Sequence, residues 1–184
     1  MSMKRYILTG APGAGKTSIL RQLELDGFGV VEEAATDVIA LWQANGMAEP
    51  WTDPEFLDAV VHLQQARERR ASCLPEPVQF HDRSVVCTAA LADCLGIPRP
   101  DCLLQELQRL KERHVFERRV LFARNLGFIT LTEAHRISYE ETVRFEKLHE
   151  QAYREFGFDI ISIAPASVAN RVREIKGLLS LEHS

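Results

Sequence analysis

Residues Gly10, Ala11, Pro12, Gly13, Ala14, Gly15, Lys16 and Thr17 have the types and spacing that build a phosphate-binding loop: a glycine, four free positions, then Gly-Lys-Thr. Glycines at 10, 13 and 15 open backbone conformations closed to residues with a Cβ, so successive N–H groups can converge on one anion. The helix such a loop opens adds a favourable field at its N-terminus. Lys16 is expected to reach the β- and γ-phosphates of a nucleoside triphosphate, and Thr17 to offer its hydroxyl to Mg²⁺. Ser18 belongs to the same predicted cradle. ATP is the expected donor, with GTP left open.

Other candidates lie far along the chain. Glu32 and Glu33 suit a general base or an orienter of a substrate hydroxyl, or simply an acidic helix start. Asp82 suits a carboxylate that helps hold Mg²⁺, and Arg83 a planar fork for phosphate or substrate oxygen; a local ion pair is the alternative. Arg124, Arg136 and Arg144 lie in or near a polar segment, 124–137, that reads as a lid. An arginine from such a lid can stabilise charge on a transferring phosphoryl group, and closure excludes water. Arg144 reads as solvated surface. Gln64 and Gln65 read as exposed helix positions, although one could bond a substrate. His62, His81, His114 and His135 lack partners at ligand spacing and read as structural. The basic stretches beginning at Arg67 and Arg109 are interleaved with acids and read as solvated helical faces.

These residues do chemistry together only if the fold gathers them. Short apolar runs at 5–9, 28–32, 78–82, 119–123 and 159–163 predict five strands. Between them, helical patterns cover 16–25, 33–42, 54–72, 85–95, 102–113, 138–157 and 167–179. Asp53-Pro54-Glu55 reads as a helix start, Asp101 as a cap, and Ser138-Tyr-Glu-Glu as a capping box. Strands alternating with helices predict an α/β three-layer fold with a five-stranded parallel sheet. Ligands of such sheets sit beyond the carboxyl ends of the strands. That rule selects the loop at 10–17, Glu32 and Glu33, Asp82 and Arg83, Arg124, and the turn 164–167, which contains Pro165, Ala166 and Ser167.

The bulk properties narrow the class. At 184 residues, one domain spanning 1–184 is the expectation. A net charge of −4 argues against a dominant nucleic-acid surface. No apolar run reaches membrane-span length, and no leader segment is read at Met1-Ser-Met-Lys-Arg. Cys73, Cys87, Cys94 and Cys102 form no Cys-x-x-Cys pair, so free buried thiols in a reducing cytoplasm are expected and a structural zinc site is not.

The run Ile7-Leu-Thr-Gly-Ala-Pro-Gly-Ala-Gly-Lys-Thr, followed by Gly27-Phe-Gly-Val-Val-Glu-Glu-Ala-Ala, resembles the "predicted ATPase" family, placed among AAA domains but nearer to small-molecule kinases. The chain also looks like the kinase domain of nicotinamide riboside kinase-type regulators and like deoxynucleoside and thymidylate kinases. Phe80-His-Asp-Arg-Ser resembles their acid-Arg-Ser signature. The stretches from Ser138, Tyr153 and Ile163 resemble the predicted-ATPase family, so the likeness spans nearly the whole chain. It implies that Glu33 is the acid facing the substrate hydroxyl, that Asp82-Arg83 is the acid-Arg pair, and that Arg136 is a lid arginine. It also implies that the turn at 164–167 holds the adenine base. Asn125 to Arg136 is poorer in arginine than the lids of nucleoside monophosphate kinases, so a phosphate on the acceptor is not implied.

The expectation is thus a cytoplasmic, Mg²⁺-dependent kinase, monomer or dimer, passing the ATP γ-phosphoryl group to a small hydroxylated acceptor such as a nucleoside. The alternative is a nucleotide switch with slow hydrolysis and a protein partner. An oligomeric AAA motor fits poorly: the chain is short, shows no helical lid domain, and has no apolar run ending in Asp-Glu.

Overall fold

All five apolar runs form strands in the computed structural model, which describes residues 3–10, 12–125 and 139–181. In chain order the elements are β1 (Lys4–Gly10), α1 (Lys16–Leu25), β2 (Gly29–Val31), α2 (Ala34–Ala44), a 3₁₀ turn (Pro50–Thr52), α3 (Phe56–Ala71), β3 (Val78–Asp82), α4 (Val85–Leu95), α5 (Asp101–Arg113), β4 (Arg119–Ala123), α6 (Tyr139–Glu155), β5 (Asp159–Ile163) and α7 (Val168–Leu178). The strands lie side by side in the order β2-β3-β1-β4-β5, every pair parallel. Parallel pairing needs crossovers, and the helices supply them on both faces.

Alternation along the strands divides the core in two. Tyr6, Leu8, Phe80, Leu121 and Ile163 pack against Ile19 and Leu23 of α1 and Val172 and Ile175 of α7. Ile7 and Val120 face the other way, onto α4, α5 and α6. A smaller cluster of Val38, Phe56, Leu57 and Val60 joins α2 to α3 beside β2. It anchors the wall that faces the phosphate loop.

β1 is the central strand, so the loop leaves the sheet at its middle. Gly10 ends β1 opposite Ala123 of β4. Its φ is 138°, and a Cβ there would come within 2.2 Å of the Ala123 carbonyl oxygen. The neighbour is backbone and cannot yield cheaply. Gly10→Ala is therefore expected to destabilise the protein by about 3 kcal/mol or more, measured as a fall in the denaturant midpoint. A change below about 0.5 kcal/mol would show that β4 can retreat.

Three expectations need correction. The helix read from Asp53-Pro54 starts at Phe56. Residues 50–52 form the 3₁₀ turn, and Asp53 spends its carboxylate on the Glu55 amide (2.8 Å), which closes a short local turn instead of capping a helix. Asp101 is the first residue of α5, and Pro100 holds the cap position without a side-chain bond. The acid acts there through the helix dipole. The cysteines are free, but only Cys87 is buried: Cys73 and Cys94 are exposed and Cys102 is half-buried. Cys73 lies beyond the end of α3, and Cys94 faces outward on α4. Ser138, the expected capping residue of α6, lies outside the described residues. Among the described residues no helix is long and apolar enough to cross a membrane.

Candidate functional site

The loop after β1 turns through two left-handed glycines, Gly13 (φ 76°) and Gly15 (φ 77°), the second of which is the cap residue of α1. Lys16, the first residue of α1, is only 7% exposed. Burial, followed by repulsion from Arg83, lowers its ammonium to about 8, while Asp82 and Glu33 pull the other way. Thr17 is exposed toward a cleft that Pro12, Gly13 and Lys16 also line. Ser18 is exposed on the first turn of α1. Ala11 lies outside the described residues.

The opposite wall comes from the ends of β2 and β3. Glu33 occupies the cap position of α2, but its carboxylate makes no cap bond. One oxygen pairs with Arg83 Nε (2.8 Å) and the other accepts from the Thr36 hydroxyl (3.0 Å). Asp82 ends β3. Its Oδ1 is buried and has no hydrogen-bond partner among the described residues. Burial pushes its carboxyl up to about 6; Lys16 opposes that rise, and Glu33 adds to it. Arg83 follows at φ 67°, a sparsely populated conformation for a residue with a Cβ. Its amide donates to the Leu8 carbonyl (3.0 Å), so the strand end is tied to β1. Burial works against its charge, but Glu33, Cys87 and Asp82 outweigh burial and raise its pKa.

Lys16, Thr17, Glu32, Glu33, Asp82 and Arg83 thus share one cleft of about 320 Å³, with Thr36 and Asp37 of α2 at its side. That volume suits a small ligand. The arrangement can bind anionic oxygens on the loop side, offer carboxylate oxygens to a cation, and present Glu33 to a hydroxyl.

Asp82 also makes a stability statement. Its folded-state pKa, near 6, lies above the ordinary 3.8. Ionising it therefore works against folding: the stability held below pH 3.8 is lost as pH rises through about 6. Asp82→Asn is expected to raise stability at pH 7.5 by about 1–2 kcal/mol and to change little at low pH. Urea midpoints at pH 7.5 and pH ~4 check this; an equal or lower midpoint at pH 7.5 contradicts it.

Some predicted residues stand elsewhere. The Arg124 guanidinium bonds Glu150, Glu146 and Ser162 and stacks 4.6 Å from the Phe122 ring centroid. It ties β4 and β5 to α6. Pro165, Ala166 and Ser167 are exposed in the turn between β5 and α7, where Ser167 caps α7 through the Asn170 amide (3.3 Å). Arg136 and residues 126–138 lie outside the described residues, and Arg144 is exposed. Gln64 and Gln65 are half-buried instead of exposed: Gln64 accepts from the Thr88 hydroxyl, and Gln65 donates to Glu106.

Sequence reading missed four contributors. Arg67 is a clamp. Its Nη1 donates to the Glu32 and Glu33 carbonyls (3.1 and 2.5 Å), and its Nη2 pairs with Asp37. His149 is 1% exposed on α6; its Nδ1–H donates to the Phe145 carbonyl (2.9 Å), leaving Nε2 to accept from Arg83 Nη1 at 3.4 Å. Phe145 also lies under the Arg83 guanidinium, 5.7 Å from ring centroid to Cζ. Cys87 sits below this layer, 3.3 Å from Thr9 Oγ1 and 3.1 Å from Tyr153 Oη. Burial raises its thiol, but His149, Arg83 and Thr9 outweigh burial and lower it. No local pattern announces these groups, because the partners that tie them to the site, Asp37, Glu33, Arg83 and Thr9, stand 30 to 78 residues away.

A family model described as an AAA domain matches residues 5–171. No curated protein matches the sequence. Solved structures share the fold. A NadR protein in complex with NAD and AMP-PNP superposes with a TM-score of 0.69 at 15% identity, over 99% of this chain and 51% of that one. A second NadR structure, in complex with NR, gives 0.70 at 15%, over 99% and 52%. This chain thus spans about half the length of those NadR proteins. Deoxyadenosine kinase from M. mycoides with bound dATP gives 0.62 at 13% identity, over 96% and 99%. The chain belongs to this AAA-domain family of P-loop proteins, and its five-stranded parallel sheet carries the P-loop kinase fold.

Proposed function

We propose that the protein is an ATP- and Mg²⁺-dependent phosphotransferase that passes the γ-phosphoryl group to the hydroxyl of a small, unphosphorylated acceptor, most readily a nucleoside. One observation carries the reading: the phosphate loop and the Glu33–Asp82–Arg83 wall face each other across one small cleft. A bare hydrolase has no need of a second, carboxylate-lined wall. The likeness in fold to a NadR protein in complex with NR and to deoxyadenosine kinase supports the nucleoside class.

Each group has a role the chemistry calls for. Lys16 and the loop amides neutralise charge on the phosphates. Thr17 and Asp82 would hold Mg²⁺: both line the cleft, and the bare buried Oδ1 of Asp82 is the hard oxygen such an ion prefers. Mg²⁺ when bound supplies charge neutralisation at the phosphates. Few protein ligands are needed, since Mg²⁺ keeps waters and phosphate oxygens around it. Glu33 orients the acceptor hydroxyl and takes its proton late. It stays paired with Arg83, and little is asked of it as a base because the transition state of phosphoryl transfer is loose. Arg83 is held by Glu33, His149 and Phe145, so it presents its charge in a fixed direction. Arg136 would supply charge to the transferring phosphoryl group, and the 164–167 turn would hold the adenine. Residues 1–184 would act as one unit, a cytoplasmic monomer or dimer.

The test is a screen of nucleosides, vitamins and sugars for stimulated ADP production from ATP and Mg²⁺. At least one nucleoside is expected to raise ADP formation by about tenfold or more over the basal rate. Steady basal hydrolysis that no acceptor stimulates would favour the nucleotide-switch reading.

A further inference from the structure

One buried cation in the molecule has no role in the chemistry described above. Arg171, near the start of α7, is 2% exposed and ranks first by volume among the fully buried side chains. Its Nη1 donates to the carbonyl of Ala14 (2.7 Å), inside the phosphate loop and 157 residues away in sequence. Its Nε and Nη2 are also buried, and neither has a hydrogen-bond partner among the described residues. Burial holds its pKa below the ordinary value, and Glu174, one turn further along α7, offsets this only in part. No salt bridge joins Arg171 to a described acid.

A charge buried this way is costly unless a counter-charge compensates it. A structural arginine would be expected to use its whole fork on carboxylates or carbonyls. This one uses a single donor, and it uses it on the loop whose own amides converge on an anion. The Ala14 carbonyl points back to Arg171, which leaves the outward amides of the loop to face the ligand. A positive charge behind the loop adds to the field that those amides and the α1 N-terminus create in front of it.

We propose that Arg171 is a positioning residue for nucleotide binding: it fixes the phosphate loop through the Ala14 carbonyl, and its buried charge finds its counter-charge in the phosphate chain that the loop holds. This rests on the nucleotide-binding reading of the loop but not on the identity of the acceptor. The nucleotide-free protein carries the cost of the uncompensated charge, and nucleotide relieves it.

Three variants separate charge from hydrogen bond. Arg171→Lys keeps the charge, Arg171→Gln keeps a neutral donor for Ala14, and Arg171→Met keeps only volume. Calorimetry gives the affinities for Mg-ATP, Mg-ADP and adenosine, and thermal unfolding gives the nucleotide-free Tm. Arg171→Gln and Arg171→Met are expected to bind Mg-ATP about tenfold or more weakly, with a smaller loss for ADP and none for adenosine. Their nucleotide-free Tm is expected to equal or exceed that of the wild type. Arg171→Lys is expected to recover most of the lost affinity. Equal Mg-ATP affinities in the Lys and Gln variants overturn the assignment, as does a Gln variant that loses Tm but keeps its affinity. Should the Met variant fail to fold, the Lys–Gln pair decides. A wild-type chain that binds no nucleotide overturns the nucleotide reading along with this one. A wild type that binds, with a Gln variant that binds equally well, overturns only the role of Arg171.

Discussion

Lys16→Ala is expected to reduce phosphotransfer by about a thousandfold or more while leaving the protein folded. Lys16 is buried between Arg83, which repels it, and Asp82 and Glu33, which attract it. Its ammonium sits near 8 because burial disfavours the charge. A triphosphate on the loop would restore that charge, so the bound state would hold the proton more tightly than the free one. The sign follows directly. Affinity for Mg-ATP is flat from about pH 7, above the range where Asp82 titrates, to about pH 8, and falls as pH rises further, up to tenfold per unit. Calorimetric titrations across about pH 6.5–9.5 check both statements. The alanine variant should bind weakly at every pH and show no such fall. A wild-type affinity that is constant through this range would remove Lys16 from the phosphate contacts.

Glu33→Gln is expected to lower kcat by about 10²–10⁴-fold with the Kd for Mg-ATP changed by less than about twofold. The carboxylate stands on the acceptor wall, across the cleft from the loop. It makes no cap bond to α2, although it occupies the cap position. A residue kept for helix stability would have made that bond. Instead its oxygens go to Arg83 and Thr36, and the backbone that carries it is pinned by Arg67 from α3. Gln keeps the shape: its one oxygen can accept from Arg83 while its amide group donates to the Thr36 hydroxyl oxygen. It loses the negative charge that would orient the hydroxyl and finally take its proton. Steady-state kinetics with the acceptor found in the screen give kcat, and calorimetry gives the Kd. Unchanged turnover would reduce Glu33 to a partner of Arg83. A large loss of ATP affinity would mean that the pair acts on the donor side.

The parts of the molecule written in contiguous residues could be read from the sequence. The Gly-rich loop, the five apolar runs and the position of Asp82-Arg83 at a strand end all depend on local types and spacing. The parallel three-layer fold follows from them. Helix starts were less legible where one side chain had two local uses. Asp53 suits a helix cap, yet it satisfies the Glu55 amide in a tight turn, and α3 begins only at Phe56. The stretch beginning at Arg67 reads as a solvated basic face because acids alternate with its arginines. Packing α3 beside β2 turns Arg67 itself inward as a clamp on Glu33. The support of the site was invisible for the same reason. His149 and Phe145 reach Arg83 from α6, Tyr153 reaches Cys87, and Arg171 reaches Ala14 only because strand order places α6 and α7 over β1 and α1. A single sequence fixes what a strand end offers more readily than what packs behind it.

If the two walls of the cleft serve one reaction, the nucleotide's phosphoryl group ends on a second molecule. The direct test is the fate of the terminal phosphate. The protein is incubated with Mg²⁺, γ-labelled ATP and a panel of nucleosides, and the label is followed by chromatography. Label is expected in a phosphorylated nucleoside, absent in Lys16→Ala and strongly reduced in Glu33→Gln. Label that appears only as inorganic phosphate, at the same rate with and without every acceptor, would contradict it.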